Sequence, residues 1–113
     1  MRILVTGARG KVGAATVHRL LQAGHEVTAA DIAAPVHERA REVRYVQADL
    51  TDEREVERLF DAAVETLGRL DVLVANAGKW PSADEPVWTM SLDRWRATIA
   101  ANLDSVFLSC CGF

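Results

Sequence analysis

Short apolar runs and helically spaced apolar stripes alternate along the chain. Four short runs are predicted as strands of a parallel sheet, over residues 2–6, 25–30, 43–47 and 70–75; the apolar stretch Ile3-Leu4-Val5 and the strongly apolar fourth run are typical of buried strands. Apolar residues three and four apart predict a helix over residues 11–23, and Gly24 is well suited to end it. The chain therefore begins as a strand–helix–strand unit.

A second helix is predicted after the third strand. Thr51 is its expected N-cap, with Asp52 and Glu53 in the first turn, where negative charge suits the helix dipole. Gly68 is expected to end it. The stripe that this helix is expected to bury consists of Val56, Leu59, Phe60, Ala63, Val64 and Leu67.

A third helix is predicted near the end of the chain, with Ser91 as its N-cap. It follows a loop over residues 76–89, in which Pro81 and Pro86 exclude regular structure. Residues 32–42 form another irregular connection, between the second and third strands. The expected buried stripe of the third helix consists of Leu92, Trp95, Ile99, Leu103, Val106 and Cys110.

This order of elements predicts the fold class. Short strands that alternate with helices are joined by right-handed crossovers, and their strands form a parallel sheet. We therefore expect an α/β fold over residues 1–113, with flanking helices and the strand order 3-2-1-4. This arrangement is the first half of a Rossmann-type, doubly wound sheet.

Composition and charge narrow the classes of function. The 113 residues are enough for one domain, and the net charge of −3 provides no basic surface for nucleic acid. The apolar stretches are shorter than the roughly 20 residues that span a bilayer, and no secretory leader opens the chain. We expect a cytoplasmic protein without nucleic-acid or membrane partners. The adjacent Cys110 and Cys111 are expected as buried or half-buried thiols, with no metal site.

Three glycines mark the junction between the first strand and the first helix. Gly7 would make the tight turn, Gly10 would admit a pyrophosphate, and Gly13 would let the helix pack close to the strand. A helix N-terminus in this position offers unpaired N–H donors and a favourable dipole. Glycines also end strands for purely structural reasons, so the loop alone does not decide between the two interpretations.

An acidic residue at the end of the second strand strengthens the cofactor interpretation. Asp31 follows Gly13 by eighteen residues, where a carboxylate would accept hydrogen bonds from the adenine ribose and repel a 2′-phosphate. This favours NAD as the cofactor, with NADP less favoured. Arg9 and Lys11 are basic residues of the loop that could meet a 2′-phosphate. The structural alternative is that Asp31 is a solvated acid at a strand end.

These motifs resemble the short-chain dehydrogenase/reductase family over essentially the whole chain. The residues that carry the resemblance are Thr6 to Gly13 (TGARGKVG), Asp31, Asp49-Leu50, Asn76-Ala77-Gly78 and Asn102. The resemblance implies an NAD(P)-dependent oxidoreductase. Its implied cofactor-binding residues are Gly7, Arg9, Gly10, Lys11, Val12, Gly13, Asp31, Asp49, Leu50, Asn76, Ala77 and Gly78.

The resemblance also implies roles for particular residues. Asp49 and Leu50 would border the adenine, and residues 76–78 would line the ribose side of the nicotinamide half. Asn102 is the implied catalytic residue, since its backbone would help to hold a water in the proton relay. The alternatives are structural: Asp49 would only start the turn into the helix, and Gly78 would only serve a loop. For Asn102, which shares a face with Ile99 and Val106, the alternative is a buried polar residue bonded to nearby backbone.

The chain departs from the family pattern in two respects. Its glycine spacing matches the extended branch, which includes sugar-nucleotide epimerases and dehydratases, whereas Asn76-Ala77-Gly78 and the last helix match the shorter reductases. The family's catalytic pair, a tyrosine followed four residues later by a lysine, is absent: the one tyrosine, Tyr45, is followed by Asp49 at that spacing. The catalytic serine is also unmatched. A non-catalytic NAD-binding module and a fragment of an epimerase or dehydratase are therefore alternatives.

The missing pair leads us to expect that the chain is the cofactor-binding half of a longer fold. One edge of the fourth strand and one face of the last helix would then be exposed, which promotes association. A homo-oligomer, or self-association through these surfaces, is expected. Trp80 and Trp88, in the loop after the fourth strand, would either form a wall of a substrate pocket or cover the core.

Overall fold

The computed structural model describes residues 1–34, 43–80 and 83–113. Every predicted strand and helix is present there, with ends within about two residues of the predicted ones. The strands are β1 (Arg2–Thr6), β2 (Glu26–Asp31), β3 (Arg44–Gln47) and β4 (Val72–Val74), and the helices are α1 (Lys11–Gln22), α2 (Glu53–Leu67), α3 (Leu92–Ile99) and α4 (Ser105–Gly112). The strands form one parallel sheet in the predicted order β3-β2-β1-β4.

The core lies on both faces of the sheet, because successive side chains of a strand point to opposite faces. On one face, Leu4 of β1 packs with Leu59 and Phe60 of α2. On the other face, Ile3 and Val5 belong to a cluster that includes the buried side of α1. All three β1 residues are at most 1% exposed. The uninterrupted apolar run of β1 is thus explained by helices that cover both faces.

The N-terminus of α2 differs from the prediction. Asp52, not Thr51, is the N-cap, and its carboxylate accepts hydrogen bonds from the backbone N–H groups two and three residues on, at 2.9 and 3.3 Å. The Thr51 hydroxyl instead donates to Oδ1 of Asp49 at 2.8 Å, so it is already engaged by the preceding turn. Val64 is also 44% exposed, although the rest of the predicted α2 stripe is buried. Gly68 ends the helix as predicted, with φ of +79°.

The last helix departs further from its predicted pattern. Residues Ala100–Asp104, between α3 and α4, form a π-helical turn in which the Ser105 N–H bonds to the Ala100 carbonyl. Such a turn contains an extra residue and shifts the helical faces. Ser105 and Ser109 are buried, and α4 packs against α2, where Phe60 lies beside Gly112. The prediction of a buried stripe was wrong for its exposed members, Leu92, Trp95, Leu103 and Cys110.

The remaining predictions for the fold have mixed outcomes. Ser91 caps α3 as predicted, since its hydroxyl accepts the Arg94 N–H at 3.2 Å. Cys110 and Cys111 are both exposed, so the expectation of buried or half-buried thiols was wrong. Most of the predicted 32–42 connection and Pro81 lie outside the described residues. No helix in the described ranges is both long and apolar enough to cross a membrane.

Candidate functional site

The chain passes from β1 into α1 through a tight glycine loop. Gly7 has φ of +65°, and a side chain there would also lie 2.7 Å from Cα of Ala77. The N–H of Gly10 donates to the Gly7 carbonyl at 3.1 Å and closes the turn. Gly13 is buried so close to the same carbonyl that an added Cβ would collide with it. The first and third glycines thus have the tight-turn and close-packing geometry expected from the sequence.

The N-terminus of α1 is open at this loop. Its N-cap, Gly10, provides no side-chain hydrogen bond, and the first turn contains no acidic residue. Lys11 and Val12 are exposed there, as is Arg9 just before them. By contrast, the Asp52 carboxylate caps α2. The first N–H groups of α1 therefore offer hydrogen-bond donors and the positive end of a helix dipole to an anion.

Asp31, at the carboxyl end of β2, contacts the glycine loop. Its Oδ2 accepts the backbone N–H of Arg9 at 2.9 Å, and its Oδ1 accepts the N–H of Ala33 at 3.1 Å. The two bonds fix the orientation of the carboxylate, and each oxygen keeps a lone pair for a further donor. The acid predicted from its distance along the chain is thus joined directly to the predicted phosphate-binding loop.

Tyr45, to which the sequence assigned no role, lies close to this carboxylate. Burial, followed by the negative charge of Asp31, raises the pKa of Tyr45 to about 12, while the positive charge of Arg9 acts in the opposite direction. The phenol donates to the Ala33 carbonyl at 3.4 Å. The strand register, which pairs Asp31 with Gln47, brings the tyrosine to this corner. Register between distant strands is not readable from one sequence.

A hydrogen-bond network ties the end of β1 to the segment after β4. The Thr6 hydroxyl accepts the backbone N–H groups of Asn76 and Ala77, each at 3.1 Å. The Asn76 amide in turn donates to the Thr6 carbonyl at 3.1 Å and to the Gly7 carbonyl at 3.3 Å. Sequence reasoning placed Thr6 in the motif but gave it no role. The only signal for that role is its position directly before the first glycine.

Asn102 lies in the π-helical turn and fixes the segment beyond Gly78. Its Oδ1 accepts the Lys79 N–H at 3.1 Å, and its Nδ2 donates to the Lys79 carbonyl at 2.9 Å. Nδ2 also donates to the Thr98 carbonyl at 2.9 Å. The structural alternative for Asn102 was a buried side chain bonded to nearby backbone. The bonding to backbone is confirmed, but the burial was wrong, because Asn102 is exposed. A side chain at Gly78 would displace this amide, since its Cβ would lie 2.7 Å from Oδ1.

Asp49 takes part in the turn that leads into α2. Its Oδ1 accepts both the N–H and the hydroxyl of Thr51, at 2.9 and 2.8 Å. Its own N–H donates to Oε2 of Glu55 at 2.6 Å. These contacts are those of the structural alternative, in which Asp49 starts the turn. They leave its second carboxylate oxygen for another donor.

Six of the predicted cofactor residues line one cleft of about 160 Å³ at the carboxyl ends of the strands. They are Gly7, Asp31, Asp49, Leu50, Ala77 and Gly78. The other predicted residues, Arg9, Gly10, Lys11, Val12, Gly13, Asn76 and Asn102, do not line this cleft, but each belongs to a segment that reaches it. Sequence reasoning missed the remaining lining residues, Ile32, Ala48, Thr51, Lys79, Ala101 and Ser105.

The serines and the loop tryptophans are not arranged as catalytic or core residues. The hydroxyls of Ser105 and Ser109 each donate to a carbonyl one turn earlier in the helix, at 2.9 and 2.7 Å. Trp80 and Trp88 are 81% and 84% exposed, so they do not cover the core. In the described ranges, no three His, Cys, Asp or Glu side chains converge as metal ligands.

The sequence is similar to characterised dehydrogenases. The sequence model of the short chain dehydrogenase family matches residues 1–113. The chain is 38% identical to 1-deoxy-11-beta-hydroxypentalenate dehydrogenase of Streptomyces exfoliatus, over 88% of this chain and 39% of that protein. It is 39% identical to cis-4-hydroxycyclohexanecarboxylate dehydrogenase of Sinomonas cyclohexanicum, over 96% of this chain and 45% of that protein. The chain thus spans less than half the length of these relatives.

Solved structures share the fold. A short chain dehydrogenase from Mycobacterium smegmatis superposes with a TM-score of 0.88 at 32% identity, over 97% of this chain and 49% of that one. The 3-ketoacyl-(acyl-carrier-protein) reductase of Brucella melitensis, solved with NADH, superposes with a TM-score of 0.88 over 96% of this chain and 47% of that one. At 24% identity, the second likeness concerns the fold alone.

Proposed function

The chain belongs to the short-chain dehydrogenase family, and on that premise we propose that it forms the NAD-binding half of an oxidoreductase. Members of this family generally use NAD(P). When bound, the nicotinamide would exchange a hydride with the carbon of a substrate hydroxyl or carbonyl group. The observation that carries the proposal is the contact between Asp31 and the backbone of the glycine loop, at a cleft lined by six predicted cofactor residues.

The residues of this end of the sheet fit a dinucleotide. The uncapped N-terminus of α1 would bind the pyrophosphate, and Gly10, exposed on the outside of the loop, would let the phosphates approach the backbone. Asp49 and Leu50 would border the adenine. Asn76, whose amide is held by β1, would position the backbone of the following two residues at the nicotinamide ribose.

We favour NAD over NADP because of the charge and orientation of Asp31. Its carboxylate would accept hydrogen bonds from the adenine ribose hydroxyls and would repel a 2′-phosphate. The backbone N–H of Arg9, not its guanidinium, provides the hydrogen bond to that carboxylate. The guanidinium of Arg9 and the ammonium of Lys11 are exposed, and they are the groups that would favour NADP instead.

The chain by itself is expected to bind the cofactor without turnover. It contains no Tyr-x-x-x-Lys pair. Tyr45 would not replace the missing tyrosine, because it lies beside the ribose-binding Asp31 and its pKa is raised to about 12. Asn102 would contribute to a proton relay by holding a water through its backbone. A non-catalytic NAD-binding module remains the second candidate, and the missing pair favours it. The epimerase or dehydratase alternative is less favoured, because the two relatives named above are dehydrogenases.

The names of the relatives suggest a class of substrate. The Streptomyces exfoliatus and Sinomonas cyclohexanicum enzymes are both named for hydroxylated carboxylates. We propose the same class for this chain: a secondary alcohol, or the corresponding ketone, on a small organic acid. In the complete reaction, the alcohol carbon would lose a hydride to NAD and its hydroxyl a proton to the protein.

The cofactor proposal is tested by calorimetric titration of the purified chain with NAD and with NADP. We expect saturable NAD binding that is at least tenfold tighter than NADP binding, and we expect this preference to disappear in Asp31→Ala. Asp61→Ala is the matched control, because it removes an exposed carboxylate on α2, away from the cleft. Absence of NAD binding by the folded chain would contradict the proposal. A folded chain that prefers NADP would contradict the role of Asp31.

Self-association is the proposed partner interaction. Leu92 and Trp95 of α3, Leu103 of the π-helical turn and Phe107 of α4 are each at least 50% exposed, and β4 is an edge strand. Large exposed apolar side chains favour association between copies of the chain, because association removes them from water. Sedimentation velocity over a hundredfold range of concentration should show a rising average mass. A compact monomer at every concentration would exclude it.

A further inference from the structure

A second cleft adjoins the cleft lined by the six predicted cofactor residues, on the side of the segment proposed to hold the nicotinamide ribose. It has a volume of about 170 Å³, and Lys79, Arg94, Ala97, Thr98 and Ala101 line it. Lys79 and Ala101 line both clefts, so the two meet at these residues. The rest of the wall comes from α3: the small side chains of Ala97 and Thr98, together with Arg94. A small organic molecule in this cleft would therefore lie next to the segment proposed to hold the nicotinamide ribose.

The backbone of Lys79 is held firmly between the two clefts. The Asn102 side chain accepts its N–H and donates to its carbonyl, at 3.1 and 2.9 Å. Asn102 is itself anchored to the Thr98 carbonyl, within the helix that forms the opposite wall. The Asn102 side chain thus holds the Lys79 backbone at two points and joins it to α3 at Thr98. A lysine on such a fixed backbone has less conformational freedom to lose when it binds a ligand.

The two cations at this cleft differ in their partners. Arg94 has an acidic partner, since its Nη1 lies 2.9 Å from Oε2 of Glu85, and its Nη2 donates to the Ala83 carbonyl. The Lys79 side chain is exposed, and no carboxylate in the described parts of the chain forms an ion pair with it. Within residues 1–34, 43–80 and 83–113, Lys79 is therefore the cation of this cleft that has no acidic partner.

We propose that Lys79 binds the carboxylate of an organic-acid substrate whose carbon skeleton occupies the cleft along α3. The proposal rests on the proposed function, because only a bound nicotinamide makes the adjoining cleft a substrate site. A lysine beside the small side chains of Ala97, Thr98 and Ala101 suits a molecule with one acidic group and an apolar body.

Binding to the full chain tests this assignment without any need for turnover. Cyclohexanecarboxylate and its neutral analogue cyclohexanecarboxamide are titrated, with and without saturating NAD, and the amide NMR signals of Ala97 and Ala101 are followed. The Lys79→Met variant keeps the backbone contacts with Asn102. Arg96→Met is the matched control: it removes a positive charge from α3 at a position that does not line the cleft.

The expected result is that the acid binds at least about tenfold more tightly than the amide, and that Lys79→Met removes this difference while Arg96→Met keeps it. Equal affinities for acid and amide, or no shift of the Ala97 and Ala101 signals, would overturn the assignment. A loss of NAD affinity in Lys79→Met without any effect on the acid would show that Lys79 pairs with the cofactor phosphates instead. Failure of NAD binding with normal acid binding would count against the proposed function alone.

Discussion

The glycine-loop end of the molecule and its last helix use apolar residues in opposite ways. In β1, Ile3, Leu4 and Val5 are at most 1% exposed, because α1 and α2 cover both faces of the sheet. In α3 no residue is buried, and α4 buries only the serines at 105 and 109. Similar apolar character along the chain thus produces a closed core in one region and an open surface in the other.

This difference shows that burial depends on the number of packing partners and not on local sequence alone. β1 lies between β2 and β4 and between two helices, whereas α4 packs on α2 along one side. The candidate site spans the two regions. The glycine loop and Asp31 belong to the closed one, while Lys79 is held by Asn102 from the open one.

We expect the largest difference in the free energy of unfolding between the two regions when alanine replaces Gly13 at the glycine loop or Gly112 in the last helix. Gly13→Ala should lower the free energy of unfolding by about 3 kcal/mol, because the new Cβ meets the Gly7 carbonyl and lies 2.8 Å from Nδ2 of Asn76. Gly112→Ala should cost less than about 1 kcal/mol, because its obstacle is the Phe60 ring and the last helical turn can move aside. Urea denaturation measures both values.

Gly10→Ala is the control for this comparison. Its φ of −65° suits any residue, and an added Cβ would lie 3.3 Å from the Gly7 carbonyl. The variant should therefore fold and lose at most about 1 kcal/mol, clearly less than Gly13→Ala, because alanine is a poorer N-cap than glycine and its Cβ contact is tight. Equal losses for the alanine variants of Gly13 and Gly112 would show that the last helix is held as rigidly as the loop.

A second pair of substitutions compares buried and exposed apolar side chains. Leu4→Ala should lower the free energy of unfolding by about 3 kcal/mol, because Leu4 is fully buried. Phe107→Ala should change it by less than about 0.5 kcal/mol, because Phe107 is 64% exposed, and it should weaken self-association. A loss above about 2 kcal/mol for Phe107→Ala would mean that this face is covered in solution.

Helix caps provide a third and smaller contrast. Asp52→Ala should lower the free energy of unfolding by about 1 kcal/mol, because α2 carries a large share of the core. Ser91→Ala should leave global stability within about 0.5 kcal/mol, because α3 buries no residue. Its effect should be local, as faster hydrogen exchange of the Arg94 amide. Equal global losses would contradict the difference between the two regions.

The last expected effect is the pH dependence caused by Tyr45, which leaves stability at neutral pH unchanged. An unfolded tyrosine ionises near pH 10, whereas burial and Asp31 raise the pKa of folded Tyr45 to about 12. Between these values the folded protein retains a proton that the unfolded chain has lost. Stability should therefore be complete below about pH 10 and decline as pH rises towards 12. In Tyr45→Phe, the urea midpoint measured from pH 9 to 11.5 should fall less steeply with pH than in the original chain. An unchanged dependence on pH would exclude Tyr45 as its cause.

Much of the fold was predictable because its signals are local. The apolar run of β1, the glycines at positions 24 and 68, and the capping hydroxyl of Ser91 each act within a few residues. The strand order follows from the right-handed crossovers that alternate strands and helices require. The one error at a helix start, Thr51 in place of Asp52, arose because both residues can cap and only the hydrogen bonds decide between them.

The candidate site was predictable where the motif carries the geometry in its spacing. The glycine loop and Asp31 lie together because the crossover from β1 to β2 brings their ends to one edge of the sheet. The proximity of Tyr45 to Asp31 depends on the register of β3, and the two-point contact of Asn102 with Lys79 depends on a π-helical turn. Neither feature leaves a sequence signal of its own.

The sequence by itself determined the parallel sheet, the glycine turn and the acid at the end of β2, because hydrophobic periodicity, backbone freedom at Gly7 and helix capping act over short distances. Tertiary structure alone decided which face of the last helix is buried, how Thr6 holds the segment after β4, and where Lys79 lies. These features depend on contacts between residues more than twenty positions apart in the chain, and such contacts exist only once the sheet has assembled.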